Sequence, residues 1–135
     1  MAAEKAPEAP QQQVRKQARY AAVGRLYITA TFNNTIVTVT DEQGKTLCWG
    51  ACGKAGFSGT RKSTPFAATA AIEGALKHAT EIHGVKAVSV YIKGIGPGRD
   101  AVLRVLRTSP VDVNKLVDMT PVPHDGIRPR KRRRV

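Results

Sequence analysis

The hydrophobic period of this chain switches between that of a strand and that of a helix, and the switching restricts it to a mixed α/β fold. Leu26, Ile28, Ala30 and Phe32 alternate with Tyr27, Thr29 and Thr31, the period of a half-buried strand. Asn33-Asn34 interrupts the run, and Ile36 to Thr40 is a second strand, rich in β-branched residues. Asp41-Glu42-Gln43-Gly44 reads as a turn, and Lys45 to Cys52 returns as a third strand, making a meander. The period then lengthens. Ala68, Ala71, Ile72, Ala75, Ala79 and Ile82 form one helical stripe opposite Thr69, Glu73, Lys77 and Thr80, and Glu73 pairs with Lys77 at i,i+4. Thr64 caps this helix, Pro65 takes its first position and Gly84 ends it. Its many alanines imply a close approach to the sheet.

Alternation resumes at Ala87 to Ile92, with Val88, Val90 and Ile92 on one face. A glycine loop, Gly94 to Gly98, leads into a short helix over Asp100 to Arg107, and Val111 to Met119 makes a fifth strand. The order of three strands, helix, strand, helix, strand predicts one mixed β-sheet with helices packed on it. At 135 residues the chain has room for one such domain, expected over 23–119. Residues 1–22 are Ala, Gln, Pro and charge without apolar period, and read as a mobile arm made basic by Arg15, Lys16 and Arg19. Residues 120–135 read as a second disordered arm, proline-rich and then strongly basic.

Charge narrows the partner. The chain carries 22 Lys and Arg against 10 Asp and Glu, a formal net charge of +12. An excess of that size favours polyanions, because each phosphate contact releases condensed counterions. An anionic membrane fits the sign but not the pattern: no apolar run approaches the roughly 20 residues of a span, and no helix pairs a basic face with a bulky apolar one. The opening MAAEKAPEAPQQQ lacks the apolar core of a signal peptide, so a cytoplasmic location is expected. Cys48 and Cys52 alternate onto one face of an extended segment, which reads as two reduced, packed thiols. His78 and His83 stand about 140° apart around the helix and are not expected to converge on a metal. No metal, cofactor or small-molecule substrate is expected.

Two loops imitate nucleotide-binding motifs. Gly56 to Ser63 resembles a phosphate loop, but Arg61 stands where the second glycine must let the backbone approach phosphate. The run Gly94 to Arg99 follows a strand and precedes a helix, yet Arg99 takes the place of the third glycine of a dinucleotide fingerprint. Both loops keep a simpler property: glycine-rich segments that open helices present amide N–H groups to anions, and Lys62, Lys93 and Arg99 add charge. The acids are scattered among arms, turns and helix faces, and the first four predicted strands carry none, so no pair waits to hold metals or flank a scissile bond. Ser58 and Ser63 lack His and Asp partners. The chain is not expected to be an enzyme; a nuclease or phosphotransferase of similar fold is one rival, and it needs a carboxylate cluster, while a free regulatory RNA or DNA binder is the other.

Six of the last eight residues are Arg or Lys, a run of the kind that extends into nucleic acid and orders on binding. Pro123 and Pro129 favour an extended path, and Asp125-Gly126 reads as a turn. Asn33, Asn34 and Thr35 form a polar hairpin tip whose amides suit base edges or sugar hydroxyls. Aromatics are few, so base stacking is not expected to dominate, and recognition should be mostly of phosphate and shape.

Four strings, FNNTIVTVTD, RKSTPFAA, GPGR and TPVPHDGIRPRKRRRV, occur in the order found in a known family. The chain from about Val23 to Val135 resembles the universal small-subunit ribosomal protein eleven family in its bacterial form. The resemblance implies a ribonuclease-H-like fold without the acidic active site. It also implies a place on the small-subunit platform, on central-domain rRNA near the messenger exit, the E-site region and the Shine–Dalgarno cleft. Implied neighbours are messenger RNA and small-subunit proteins six, eighteen and twenty-one. Implied rRNA contacts are Asn33, Asn34 and Thr35, then Arg61, Lys62, Ser63 and Thr64, then Gly96, Gly98 and Arg99, with Lys54 and Lys93 beside them. The tail completes the set through His124, Gly126, Arg128, Arg130, Lys131, Arg132, Arg133 and Arg134. Ile95 departs from the family pattern, standing where a proline is often found.

Overall fold

The computed structural model describes residues 21–132 and 134. The predicted N-terminal arm, except Ala21 and Ala22, and Arg133 lie outside the described residues. The elements are β1 (Val23–Ala30), β2 (Thr35–Asp41), β3 (Thr46–Ala51), a 3-10 turn (Gly59–Ser63), α1 (Pro65–His83), β4 (Ala87–Lys93), α2 (Gly98–Thr108) and β5 (Asp112–Asp118). They form one five-stranded sheet in the order β3-β2-β1-β4-β5. The β1–β2 and β2–β3 pairs are antiparallel, and β1–β4 and β4–β5 are parallel. This is the mixed sheet that the period changes predict, with both helices packed on it.

Both helices lie on one face. Ala67, Ala68, Ala71, Ile72, Ala75 and Ala79 of α1 are buried with Leu26, Ile28, Val37, Val39, Val88 and Val90 of the sheet, and Ala101, Val102 and Val105 of α2 join them. The alanines bring α1 close: a Cβ on Gly50 of β3 would lie 3.0 Å from the Ala71 carbonyl oxygen. Thr64 caps α1 by accepting from the Ala67 amide, and Gly84 closes it in the left-handed conformation.

Several details differ from the sequence reading. The β1 strand ends at Ala30, where Thr31 and Asn34 close a turn, so Phe32 leaves the apolar face and is 68% exposed. Ile82 is exposed, because the chain turns at Gly84 and buries His83 and Val85; Ala67 and Leu76 complete the stripe. The β2 strand runs on to Asp41, so the first four strands do hold a carboxylate. That carboxylate accepts from the Gln43 and Lys45 amides and closes the β2–β3 turn. The body begins before Val23: the Ala21 amide donates to His83, and the Ala22 carbonyl accepts from Lys86 and Ala87. The second helix is longer than predicted, starting at Gly98 and ending at Thr108. The edge strand β5 is exposed along nearly its whole length.

Cys48 and Cys52 are buried, free thiols. Burial pushes the Cys48 thiol up to about 11, and its Sγ donates to the Ala75 carbonyl at 3.4 Å. His78 and His83 do come near each other, with ring centroids 5.7 Å apart. Among the described residues no three potential ligands gather for a metal.

Two glycines test how the body is built. Gly94 has φ +99, and a Cβ there would press into the Ala30 carbonyl, whereas Gly74 of α1 has open space around it. Gly94→Ala is expected to cost more than about 1 kcal/mol. Gly74→Ala is expected to stabilise by up to about 1 kcal/mol. Denaturant unfolding of the two variants checks both signs.

Candidate nucleic-acid interface

The topology brings the predicted contacts of the body, and the root of the tail, to one end of the molecule. β1, β4 and β5 run in one direction and finish there, β3 finishes beside them, and β2 begins there. The β1–β2 turn, the β3–α1 segment, the β4–α2 loop and the tail after β5 therefore share that end. Both α-helices also start there, so the partial positive charge of their N-termini lies at the same end as these loops.

The polar turn is internally ordered. Thr31 and Asn34 exchange backbone and hydroxyl hydrogen bonds, and the Asn34 side-chain oxygen accepts from the Thr35 amide at 2.9 Å. Asn33 is exposed, while Thr35 is only 2% exposed and lies beneath the tip. The glycine loop packs behind this turn: the Gly96 amide donates to the Ala30 carbonyl at 3.0 Å, and a Cβ on Gly96 or Gly98 would collide with Thr31 or Thr35. Gly96 and Gly98 are thus buried against protein, leaving Lys93 and Ile95 exposed around them.

Arg99 is held in place by three partners. It donates to the Gly94 carbonyl at 2.7 Å and the Thr120 hydroxyl at 3.2 Å, and pairs with Asp118 at 3.1 Å. Thr120 also donates to Asp118 at 2.6 Å, and its hydroxyl accepts from the Gly94 amide. The Thr120 hydrogen bonds, then Arg99, hold the Asp118 carboxyl down at about 2. This network fixes where the tail departs.

The β3–α1 segment presents Arg61 exposed and Lys62 half-buried on the 3-10 turn. Ser63 and Thr64 spend their hydroxyls locally, donating to the Thr60 and Arg61 carbonyls. Lys54 donates to the Trp49 carbonyl and rests 4.3 Å from the Trp49 ring centroid. Beyond Thr120 the tail has no regular structure; His124, Arg128, Arg130, Lys131 and Arg132 are exposed. The Asp125-Gly126 turn is present, with Asp125 at φ 49 and Gly126 folded onto Pro123.

The sequence reading missed exposed apolar residues at this end, among them Phe32, Phe66 and Ile95. Phe66 touches only the edge of Phe57 among the described rings, at 5.7 Å between centroids. The place of Phe32 beside the turn-forming Asn33-Asn34, and an aromatic beside the helix-opening Pro65, were the available signals. Among the described residues no cluster of acids accompanies the basic groups: Asp118 is paired with Arg99, and Asp41 lies at the opposite end of the sheet.

Because its carboxyl is lowered in the fold, Asp118 contributes stability that is fully present above its ordinary value of 3.8 and lost as pH falls through about 2. A carboxyl-carbon NMR titration is expected to give a midpoint near 2 for Asp118. Asp118→Asn is expected to free the tail root, read as faster exchange of the Gly94 amide.

A family model described as ribosomal protein S11 matches residues 24–134, spanning the sheet, both helices and nearly all of the tail. The chain belongs to the ribosomal protein S11 family.

Proposed function

We propose that this chain stabilises the platform of the small ribosomal subunit by binding central-domain rRNA near the messenger exit. Membership of the family makes it a structural, rRNA-binding protein of the small subunit, and so of a ribosome in the cytoplasm or an organelle. Among the described residues no helix is long and apolar enough to cross a membrane. The observation that carries the reading is the convergence of the polar turn, the basic β3–α1 segment, the glycine loop, two helix N-termini and the tail at one end of the sheet.

In this reading the body sets the geometry and the tail supplies reach. Asn33 and Asn34, Arg61 to Thr64, and Lys54 with Lys93 meet the rRNA backbone and shape. Gly96, Gly98 and Arg99 act from behind by holding the loop and tail root in place. His124 and Gly126 carry the tail onward, and Arg128, Arg130, Lys131, Arg132, Arg133 and Arg134 lie between RNA helices and neutralise their repulsion. Proteins six, eighteen and twenty-one are the proposed neighbours, with the messenger and the Shine–Dalgarno helix near. Leu103, Val113 and Leu116, exposed together beside α2 and β5, offer an apolar surface suited to a protein neighbour.

Binding to a platform rRNA fragment and to an unrelated RNA of equal length, across a salt series, tests the reading. The platform fragment is expected to stay preferred as salt rises. Removing Arg128 to Val135 is expected to weaken binding and flatten its salt dependence, by about 0.9 in log–log slope for each phosphate no longer neutralised. Equal affinities that fall together, or a slope unchanged by truncation, would contradict it.

A further inference from the structure

The face of the sheet away from the helices carries an ordered row of side chains. The pairing registers place Trp49, Thr38, Tyr27, Tyr91 and Val117 in one line across all five strands. Tyr27 and Tyr91 stack, with centroids 5.1 Å apart and planes within 15°. Trp49, the sole tryptophan, is 53% exposed. Between Trp49 and Tyr27 only the small side chain of Thr38 forms the floor, and two strand spacings separate the rings by about 9.6 Å at the backbone.

Cations flank the row. Arg25 lies two residues before Tyr27 on the same face, beside the Tyr27 hydroxyl, and is paired across β4 through Ser89 with Lys115. Lys93 stands two residues after Tyr91, and Lys54 sits over Trp49. The carboxylates bordering this face, Glu42 and Asp112, lie at its far rim, where the β2–β3 turn and the start of β5 stand opposite Lys93. Glu42 acts on Arg25 at that rim, so the central rows combine planar rings with a net excess of positive charge from Lys54, Lys93 and Lys115. Such a combination serves unpaired nucleotides: bases stack on rings while phosphates meet Lys and Arg. A protein partner would need acidic or aliphatic complementarity, and the tyrosine and tryptophan rings between cations favour RNA.

We propose that this open sheet face is a second RNA surface, taking a short unpaired segment whose bases stack on Tyr27, Tyr91 and Trp49. It rests on the RNA-binding reading above; Lys54 and Lys93 border both surfaces, while Tyr27 and Tyr91 belong to the sheet face alone.

The test compares the full chain's affinity for an adenylate oligomer of about eight nucleotides with that for an abasic backbone of equal length. The salt is raised until backbone attraction is largely screened, so that the preference for bases is isolated. The wild-type chain is expected to prefer the oligomer at least about fivefold. Tyr27→Thr with Tyr91→Thr is expected to abolish that preference, and Tyr27→Phe with Tyr91→Phe to keep it, because rings without hydroxyls still stack. The threonine variant is expected to retain binding to the platform fragment, which separates this surface from the loop-bearing end. No base preference in the wild-type chain, or a preference that survives the threonine substitutions, overturns the proposal and leaves the platform reading standing. Protection of this face by another small-subunit protein, without base preference, overturns it in favour of a protein interface.

Discussion

At one end of the sheet the Gly94–Gly98 loop lies against the end of β1 with no space for a side chain between them. Gly94 and Gly96 face the Ala30 and Thr31 carbonyls, and Gly98 faces the Thr35 hydroxyl and the Ala68 methyl of α1. This contact joins three otherwise separate pieces: the polar turn, the first turn of α1 and the start of α2. Through Arg99, Asp118 and Thr120 it also sets where the tail leaves the body. A family of loops that would drift independently is thereby made one surface. The glycines matter less as places for phosphate to approach than as places where the protein approaches itself.

The rest of the interface follows from strand direction. A sheet with β1, β4 and β5 parallel must end all three strands together, and each crossover helix must then begin at that end. Basic side chains on those loops act with two helix N-termini rather than against them. The rival chemistry needs a carboxylate cluster, and the acids are arranged otherwise. Asp118 is tied to Arg99 and Thr120, Asp41 closes a turn at the other end, and Asp112 starts β5 there. What the body offers an RNA is fixed shape and positive potential.

The fold was legible because its burial is periodic. Val88, Val90 and Ile92 alternate cleanly, and Thr64, Pro65 and Gly84 mark α1 at both ends. Where local rules failed, a tertiary contact had replaced them. Phe32 continues the strand period but falls beyond the turn that Thr31 closes with Asn34, and Ile82 yields its place to His83 at the chain reversal. The site was legible as a list of basic and polar residues but not as a division of labour. Nothing in the string GPGR says that its glycines are buried, or that Arg99 spends its charge on Asp118, because both facts depend on β1 and β5 lying on either side of β4. The open-face row was hidden for the same reason: Trp49, Tyr27 and Tyr91 are far apart in sequence and meet only through the strand registers.

Amide hydrogen exchange of the chain, free and bound to the platform rRNA, tests most directly whether one end of the sheet is the rRNA surface. The account predicts new protection over Asn33 to Thr35, Lys54, Arg61 to Thr64, Gly94 to Arg99 and the tail. It predicts no change at the Asp41–Gly44 turn or at Thr108 to Val111, which lie at the opposite end. Protection spread evenly over both ends, or confined to the tail, would contradict it.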